Sequence, residues 1–435
     1  MFVLFLMMAA SAVAMEKKSS DPVADQLIKY KNSTPDPIGV LTTSSGAPVP
    51  HNATSTLNTP LLRNKWFLDS LIQLFRSRTP ERLVHAKGTG AFGHFEATHD
   101  ISHICSASFL KKGKKTPVAV RFSTSAGQRG STDLVMDARG FAIKFYTDEG
   151  NFDIPGFNTP MFSFKDPLHF HTSVQTARRN PATNVLDSNM SWDMFTKIPE
   201  TLHIMILLFS GRGQPARYQN MPGFGIHTYQ VTNVTGGIRH LRWHIEPNAG
   251  IKNLTPEKAD NISITNPDFL TTDLYQAISN GKYPSWTVSV QVVNENDMKK
   301  NASIICDPTK VLSKDKYPLQ PIGQMTLNRN PKNFFAEIEQ LAFCPGNLVP
   351  GIDGAPDKLF ESRLLAYRDA HNYRLGANFN KIPVNCPFQV NALTYNRDGV
   401  PPVGDNEGGA PNYYPNSFNG PEPYTPKHYS PLITI

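Results

Sequence analysis

The chain of 435 residues is 39% hydrophobic and 18% charged, and its formal net charge is +7 at pH 7. These values exclude a disordered chain, and the length allows one large domain or two to three smaller ones. Because no dense run of lysine and arginine accompanies the mild positive charge, nucleic acid is not an expected partner.

The N-terminus has the pattern of a secretory signal peptide over residues 1–14. An apolar run ends there in Ala12-Val13-Ala14, which fits a signal-peptidase site, and the run is too short to be a permanent membrane anchor. The last residues, Leu432–Ile435, form no peroxisomal signal. We therefore expect a secreted protein, and glycosylation sequons agree with that route at Asn32, Asn52, Asn189, Asn233, Asn253, Asn261 and Asn301.

Three segments follow the predicted signal peptide. Residues 15–65 are polar and predict an extended N-terminal arm. Residues 66–330 predict a strand-rich segment with helical insertions, the strands at 83–97, 117–123, 139–146 and 285–293 and the helices at 192–210 and 256–281. Residues 331–435 predict helices at 331–343 and 357–374, then a wrapping tail rich in proline, glycine and asparagine. Adjacent strands followed by segregated helices indicate an α+β fold with a large antiparallel β-barrel.

Two common motifs do not carry their usual meaning here. The four cysteines lie far apart and form no C-x-x-C pair, so we expect buried free thiols rather than a zinc site or a disulfide scaffold. Gly88-x-Gly90-x-x-Gly93 matches a dinucleotide-binding fingerprint, but it lies inside a strand pattern instead of at a strand-to-helix turn. Glycine within a strand instead marks a bend or the close approach of a ligand.

The helix predicted over 357–374 has an unusual polar face. Arg363, Tyr367, His371 and Arg374 are spaced by four, four and three residues, so they share one side of the helix, and Gly376 provides a stop signal. A core helix normally turns apolar residues inward. This face is therefore either solvated or packed against an anion or a metal.

A second set of polar residues lies on and before the predicted strands. In strand 117–123, apolar residues alternate with Arg121 and Ser123, so a guanidinium and a hydroxyl project from the same face. His85 precedes the glycine-rich run. A neutral imidazole beside a metal can transfer a proton, whereas a purely structural histidine is the simpler alternative.

Four stretches of the chain resemble motifs of the haem catalases and occur in the same order: Arg82–Gly93, Val120–Thr124, Arg139–Tyr146 and Arg363-x-x-Ala366-Tyr367-x-Asp369. The similarity extends over most of the chain. It implies a β-barrel with an N-terminal arm, a wrapping loop and flanking helices around a buried haem b. It also implies a homotetramer that decomposes hydrogen peroxide to water and oxygen.

The resemblance further implies roles for individual residues. Tyr367 would be the proximal iron ligand as a phenolate, which both iron and the adjacent Arg363 favour. His85 would move a proton between the two peroxide oxygens, with Ser123 orienting its ring. The other implied cofactor contacts are Arg82, Arg121 and Arg374 at the propionates and Val84, Phe162 and Phe170 against the ring, while Asp137 matches the access channel.

Two departures from the family pattern affect the peroxide side of the implied site. Phe157 stands where the family has an asparagine that donates a hydrogen bond to peroxide, and Ser163 stands where a second phenylalanine is usual. A phenyl ring cannot donate a hydrogen bond, so we expect reduced turnover of hydrogen peroxide. Asn158 could replace the donor only if the loop were shifted by one residue.

Tight NADPH binding is not expected. His203, Ser210 and Arg212 match positions of the NADPH-binding members of the family, but Glu246 replaces a lysine near the 2′-phosphate and Leu312 replaces a tryptophan. A carboxylate repels a phosphate. The sequence also ends before the C-terminal helical segment that such members carry.

The leading hypothesis is a secreted haem catalase that acts on hydrogen peroxide through His85, Ser123 and Tyr367. Two alternatives remain open. One is a peroxidase or an enzyme that acts on an organic hydroperoxide, which the altered distal side would suit. The other is a haem-binding, storage or interaction protein with little turnover.

Overall fold

The computed structural model describes residues 21–57, 60–402 and 404–428, so the predicted signal peptide lies outside the described part of the chain. The chain forms two compact units that divide between Pro80 and Glu81. The segment boundaries predicted after residues 14, 65 and 330 stay predictions.

The first unit contains short helices rather than a wholly extended arm. Its elements are held by local polar contacts, since Asn64 accepts a 3.0 Å hydrogen bond from the Phe67 amide and donates one of 2.8 Å to the Ala53 carbonyl. The hydrogen bond from the Phe67 amide to Asn64 caps the second helix of the unit. The described helices of the unit are α1 (Gln26–Ser33) and α2 (Lys65–Arg76), with 3-10 turns at His51–Thr54 and Leu61–Arg63.

The second unit is built on an antiparallel β-barrel. Eight strands pair in a closed ring, in the order β7-β5-β4-β3-β2-β1-β9-β8, and β8 pairs back to β7. Strands β6 and β10 extend the sheet beyond β7. The strands are β1 (Gly88–Ala97), β2 (Lys115–Thr124), β3 (Arg139–Thr147), β4 (Gly150–Phe157), β5 (Gly223–Phe224), β6 (Tyr229–Thr232), β7 (Ile238–Pro247), β8 (Ser285–Asn294), β9 (Leu319–Arg329) and β10 (Ile352–Gly354). The predicted antiparallel barrel is confirmed.

Side-chain alternation on β2 fills the barrel with apolar residues. Phe122 points into the main core, where its ring stacks on Tyr218 at 4.7 Å and lies 5.8 Å from Trp286. Arg121 and Ser123 point to the opposite face, as strand geometry requires. The polar residues predicted for the site therefore lie on the outside of the barrel.

Proline interrupts two of the predicted helices. The stretch 192–210 divides before Pro199, where Ile198 leaves the helical conformation, and the stretch 256–281 divides before Pro267, where Asn266 is extended. The residue before proline is biased away from the helical region, which explains both breaks. The described helices of this unit are α3 (His169–Thr176), α4 (Ser188–Lys197), α5 (Leu202–Leu207), α6 (Pro256–Thr265), α7 (Phe269–Ser279), α8 (Glu295–Ile305) and α9 (Lys358–Leu375).

The helix predicted over 331–343 is wrong, because only a single π turn forms at Phe335–Glu339. The backbone groups that would extend a helix are bonded elsewhere. Arg82 Nη2 donates to the carbonyls of Ile338, Glu339 and Leu341 at 2.9–3.0 Å. The Ala342 amide donates to the side chain of Asn385. Tertiary contacts thus override the local helical pattern.

Three sequence predictions about surface and thiol chemistry can be compared with this fold. In the described ranges, no helix is long and apolar enough to cross a membrane. Cys105, Cys306 and Cys344 are buried free thiols, and Cys386 is half-buried. Asn233 is buried and its side-chain oxygen accepts bonds from the following turn, so this sequon is not accessible for glycosylation in the folded chain.

A buried ion pair joins the barrel to the segment that follows the π turn. Lys144 on β3 and Asp153 on β4 lie 2.8 Å apart, and their side chains are 1% and 0% exposed. Asp153 also accepts hydrogen bonds from the Cys344 amide at 2.9 Å and from Asn347 Nδ2 at 2.8 Å. One carboxylate therefore orders two strands and the loop beside them.

Replacing Lys144 by methionine should destabilise the fold strongly, because Asp153 would remain buried without its counter-ion. The expected loss is about 3 to 5 kcal/mol of unfolding free energy, measured by denaturant titration. Lys358→Met, which breaks an exposed pair with Glu361, is the matched control and should have no measurable effect. Equal stability of the two variants would contradict the importance of the buried pair.

Candidate active site

A cavity of about 260 Å³ lies between the outer face of β2–β4 and helix α9. Its walls are mostly apolar, whereas its polar groups come from a few separated places. Every residue predicted to be catalytic or to contact the cofactor lines this one cavity, although these residues span almost 300 positions of sequence: Arg82, Val84, His85, Arg121, Ser123, Phe162, Phe170, Arg363, Tyr367 and Arg374.

Helix α9 presents the polar face that its sequence spacing predicts. Asp357 caps the helix by accepting a 2.8 Å bond from the Phe360 amide. The helix ends before Gly376, whose φ is +94° and where a Cβ atom would lie 2.1 Å from the Val400 carbonyl oxygen. Glycine is therefore required at this end. Arg363 and Arg374 are buried with their side chains in the cavity, so the solvated alternative for this face is wrong.

A chain of hydrogen bonds extends from the phenol of Tyr367 into the core. Arg363 Nη2 donates to Tyr367 Oη at 3.0 Å and to the Pro155 carbonyl at 2.5 Å, and Arg363 Nη1 donates to His227 Nε2 at 2.7 Å. His227 Nδ1 in turn donates to Asp357 Oδ2 at 2.8 Å. Each member of the chain thereby fixes the orientation of the next.

The protonation states of this chain follow from burial and from the neighbouring charges. Burial lowers the pKa of His227, which favours the neutral ring that both accepts from Arg363 and donates to Asp357. Burial opposes ionisation of Asp357, but His227 and the Phe360 amide hold the pKa of this carboxyl below its usual range. His227 and Asp357 are not predicted as site residues from the sequence. The only signal in the sequence is the position of Asp357 at the start of a predicted helix, and this signal predicts a helix cap rather than a site residue.

His85 lies across the cavity from α9 in a strained backbone conformation. Its φ is +64°, and it precedes β1 instead of starting that strand. Nδ1 lies 2.9 Å from the Thr124 carbonyl and 3.0 Å from Ser123 Oγ. Because a carbonyl only accepts, Nδ1 carries the proton, and Nε2 has a free lone pair toward the cavity.

The ring of His85 stays neutral over a wide pH range. Burial, helped by the nearby charge of Arg121, lowers the pKa of His85 to about 3. Gly140 makes room for the ring, since a Cβ atom there would lie 2.5 Å from Ser123 Oγ and 2.9 Å from His85 Nδ1. The site thus contains a half-buried neutral base that is held in one orientation.

Arginines line one edge of the cavity. Glu339 neutralises part of their charge through contacts with Arg374 at 2.8 Å, Arg129 at 3.2 Å and Arg82 at 3.7 Å. Arg121 is 4% exposed and donates one long bond, 3.3 Å, to the Ala86 carbonyl, while its buried Nε has no partner among the described residues. Burial lowers the pKa of Arg121 to about 10. An anion bound at this edge would therefore neutralise the positive charge that Glu339 leaves uncompensated.

Phe157 lies beside His85, and Asn158 does not. The ring centroids of His85 and Phe157 are 5.3 Å apart. Asn158 is fully buried outside the cavity, where its side chain accepts from the Arg139 amide at 2.8 Å and donates to the Arg212 carbonyl at 2.9 Å. The one-residue shift that would bring Asn158 to the distal position does not occur.

Two other groups of predicted residues lie away from the cavity. Asp137 accepts 2.7 Å bonds from the amides of Ser125 and Ala126 and does not line the cavity. Glu246 lies 3.6 Å from Lys314 Nζ, so the carboxylate that replaces the expected lysine is paired within the chain.

Comparison with known proteins identifies relatives over most of the chain. The family model described as Catalase matches residues 42–420. The chain is 48% identical to catalase of Drosophila melanogaster over 407 residues, which covers 92% of this chain and 80% of that protein. It is 45% identical to catalase of Rattus norvegicus over 410 residues, covering 93% and 78%.

Solved structures agree with these sequence matches. Catalase A from Saccharomyces cerevisiae superposes with a TM-score of 0.85 at 42% identity, covering 90% of this chain and 81% of that one. A bacterial catalase gives a TM-score of 0.86 at 38% identity, covering 95% and 80%. Because sequence and barrel agree over the same long range, the chain belongs to the catalase family.

Proposed function

We propose that this protein is a haem-dependent catalase that converts hydrogen peroxide to water and oxygen. The single observation that carries the proposal is the opposition, across one mostly apolar cavity, of an arginine-bound phenol and a neutral, half-buried histidine. A phenolate ligand and a proton-transferring base are the two protein groups that the reaction needs. Family membership supports the same activity.

The residues of the cavity fit haem b. A flat apolar ring with two carboxylates would match the apolar walls and would supply the anion that the unpaired Nε of Arg121 lacks. We propose Tyr367 as the iron ligand. Arg82, Arg121 and Arg374 would hold the carboxylates, and Val84, Phe162 and Phe170 would pack against the ring. When bound, haem iron supplies the two-electron exchange with peroxide.

On one side of this cavity, Arg363 would stabilise the negative charge of an iron-bound Tyr367 phenolate through its hydrogen bond to Oη. A guanidinium at hydrogen-bond distance favours a phenolate over a phenol. Burial opposes the charge on Arg363, but the phenol beside it raises the pKa of Arg363 overall. His227 and Asp357 would act as positioning residues, since they hold the guanidinium against Tyr367.

On the other side, His85 would act as the catalytic base and acid. Its Nε2 lone pair would take the proton from one peroxide oxygen and return it to the other, so that this oxygen leaves as water. Ser123 and the Thr124 carbonyl fix the ring for both transfers. Phe157 would slow this step with hydrogen peroxide, because it supplies no hydrogen bond where the family has a donor.

Three further properties are proposed. Secretion rests on the signal-like residues 1–14. Assembly into a homo-oligomer rests on the family and on the exposed apolar side chains of Leu71, Ile72, Leu74 and Phe75 on α2. Weak NADPH binding rests on Glu246, whose carboxylate would meet the 2′-phosphate despite its contact with Lys314.

Replacing Tyr367 by phenylalanine should remove the iron ligand. We expect the haem content per chain of the purified protein, measured from the Soret absorbance, to fall at least about tenfold. Tyr373→Phe on the same helix, at a side chain that is 77% exposed, is the matched control and should retain haem. Full haem content with an unchanged spectrum in Tyr367→Phe would contradict the assignment.

The pH dependence of oxygen release should reflect the low pKa of His85. The base acts in its neutral form, and a pKa of about 3 keeps it neutral far below the ordinary histidine range. We therefore expect oxygen release per haem to stay level between pH 8 and pH 5 and to fall only as the pH approaches that value. A fall with a midpoint near 6.5 in the intact holoenzyme would rule out His85 in this state.

His85→Ala should reduce oxygen release by about 10²-fold or more at pH 7. His94→Ala is the matched control, because His94 lies on β1 outside the cavity lining. Equal rates in the two variants would exclude His85 from proton transfer.

A further inference from the structure

The polar groups of the cavity are unevenly distributed. The arginines lie along one edge, and Arg363 and Tyr367 lie on the side of α9. Around His85, Ser123 is already bonded to Nδ1, and the neighbouring lining residues Val84, Phe157 and Phe162 are apolar. A substrate at His85 would thus find one hydrogen-bonding group, the free Nε2, within an apolar surround.

Phe157 and Phe162 form an aromatic wall of the cavity beside the ring of His85, and Phe164, which does not line the cavity, packs against Phe162. Phe157 lies 5.3 Å from the ring of His85, Phe162 lies 5.5 Å from Phe157, and Phe164 lies 4.9 Å from Phe162, all measured between ring centroids. Phe157 belongs to a small apolar cluster with Ala138 and Ile226. Such a wall favours contact with alkyl groups and does not accept or donate ordinary hydrogen bonds.

The position of Phe157 is fixed by the sheet. At the end of β4 it pairs with Gly140 on β3 and with Phe224 on β5, and it is only 9% exposed. Asn158 cannot move in to replace it without breaking the hydrogen bonds of its side chain with the Arg139 amide and the Arg212 carbonyl. The apolar wall is therefore a fixed part of the site.

We propose that Phe157 is a specificity-determining residue that makes this site react with small alkyl hydroperoxides in preference to hydrogen peroxide. The inference rests on the proposed function and names its oxidising substrate. An alkyl hydroperoxide has one O–H group, which would donate to His85 Nε2, while its alkyl group would contact Phe157. Hydrogen peroxide has two O–H groups and would bury the second without a partner, which is costly.

The balanced reaction uses one molecule of each peroxide. The alkyl hydroperoxide ROOH is reduced by two electrons as its O–O bond breaks, and hydrogen peroxide is oxidised by two electrons to oxygen. The sum is ROOH + H₂O₂ → ROH + H₂O + O₂, in which atoms and electrons balance. Nε2 of His85 moves the hydroperoxide proton from one oxygen to the other during the first half.

The test compares second-order rate constants of the holoenzyme for ethyl hydroperoxide and for hydrogen peroxide, each from the first spectral change after rapid mixing. We expect a ratio of about tenfold or more in favour of ethyl hydroperoxide. Phe157→Asn should lower that ratio at least about tenfold. Phe157→Leu, which keeps an apolar side chain, should retain it within about threefold.

A binding measurement gives a second readout that needs no turnover. Dissociation constants of ethanol, 1-propanol and 1-butanol, unreactive mimics of the alkyl substrates, are measured by ligand-observed NMR. Affinity for the wild-type holoenzyme should rise by about fourfold for each added methylene group. This gain should be lost in Phe157→Asn and kept in Phe157→Leu.

The outcomes separate this inference from the proposed function. A wild-type rate constant for hydrogen peroxide at or above that for ethyl hydroperoxide would overturn the specificity inference and leave the catalase proposal standing. If the ratio of rate constants, or the dependence of alcohol affinity on chain length, is unchanged in a folded, haem-loaded Phe157→Asn protein, Phe157 does not determine the specificity. No reaction of the holoenzyme with either peroxide would overturn both proposals.

Discussion

The buried guanidinium of Arg363 is the contact on which the arrangement of this site depends. A buried cation is strongly destabilising unless its donors are paired. Its Nη1 and Nη2 atoms bond to three places that are far apart in sequence: the Pro155 carbonyl on β4, His227 after β5, and Tyr367 one turn further along α9. The hydrogen bonds of this one side chain therefore fix the position and rotation of α9 against the barrel, and they hold the Tyr367 phenol in the cavity.

The opposite side of the cavity is organised by a different constraint. His85 is held by the end of β2, through Ser123 and the Thr124 carbonyl, and Gly140 leaves the space for its ring. Burial favours the neutral imidazole, so the base is ready without a carboxylate partner. The Glu339 turn completes the cavity, because its carboxylate and its carbonyls hold two of the edge arginines, Arg82 and Arg374.

Features that depend on local sequence could be predicted, and features that depend on distant contacts could not. The shared face of Arg363, Tyr367 and Arg374 follows from helical spacing, and the outward position of Arg121 follows from strand alternation. No local signal marks His227, whose function in the network depends on partners more than 100 residues away. The helix predicted over 331–343 is wrong for the same reason, because distant side chains take its backbone hydrogen bonds. The resemblance to a family indicated which residues form one site. Only the structure shows that Phe157 lies against His85 and that Asn158 lies outside the cavity.

The central requirement of the proposed site is that its iron would be bound by a tyrosinate that the buried guanidinium of Arg363 stabilises. Resonance Raman spectroscopy of the purified holoprotein tests this requirement directly, because excitation into a tyrosinate-to-iron transition enhances vibrations of the bound phenolate ring. We expect tyrosinate ring vibrations together with those of a high-spin ferric haem. A haem spectrum without tyrosinate vibrations, of the kind given by a histidine or thiolate ligand, would contradict the account.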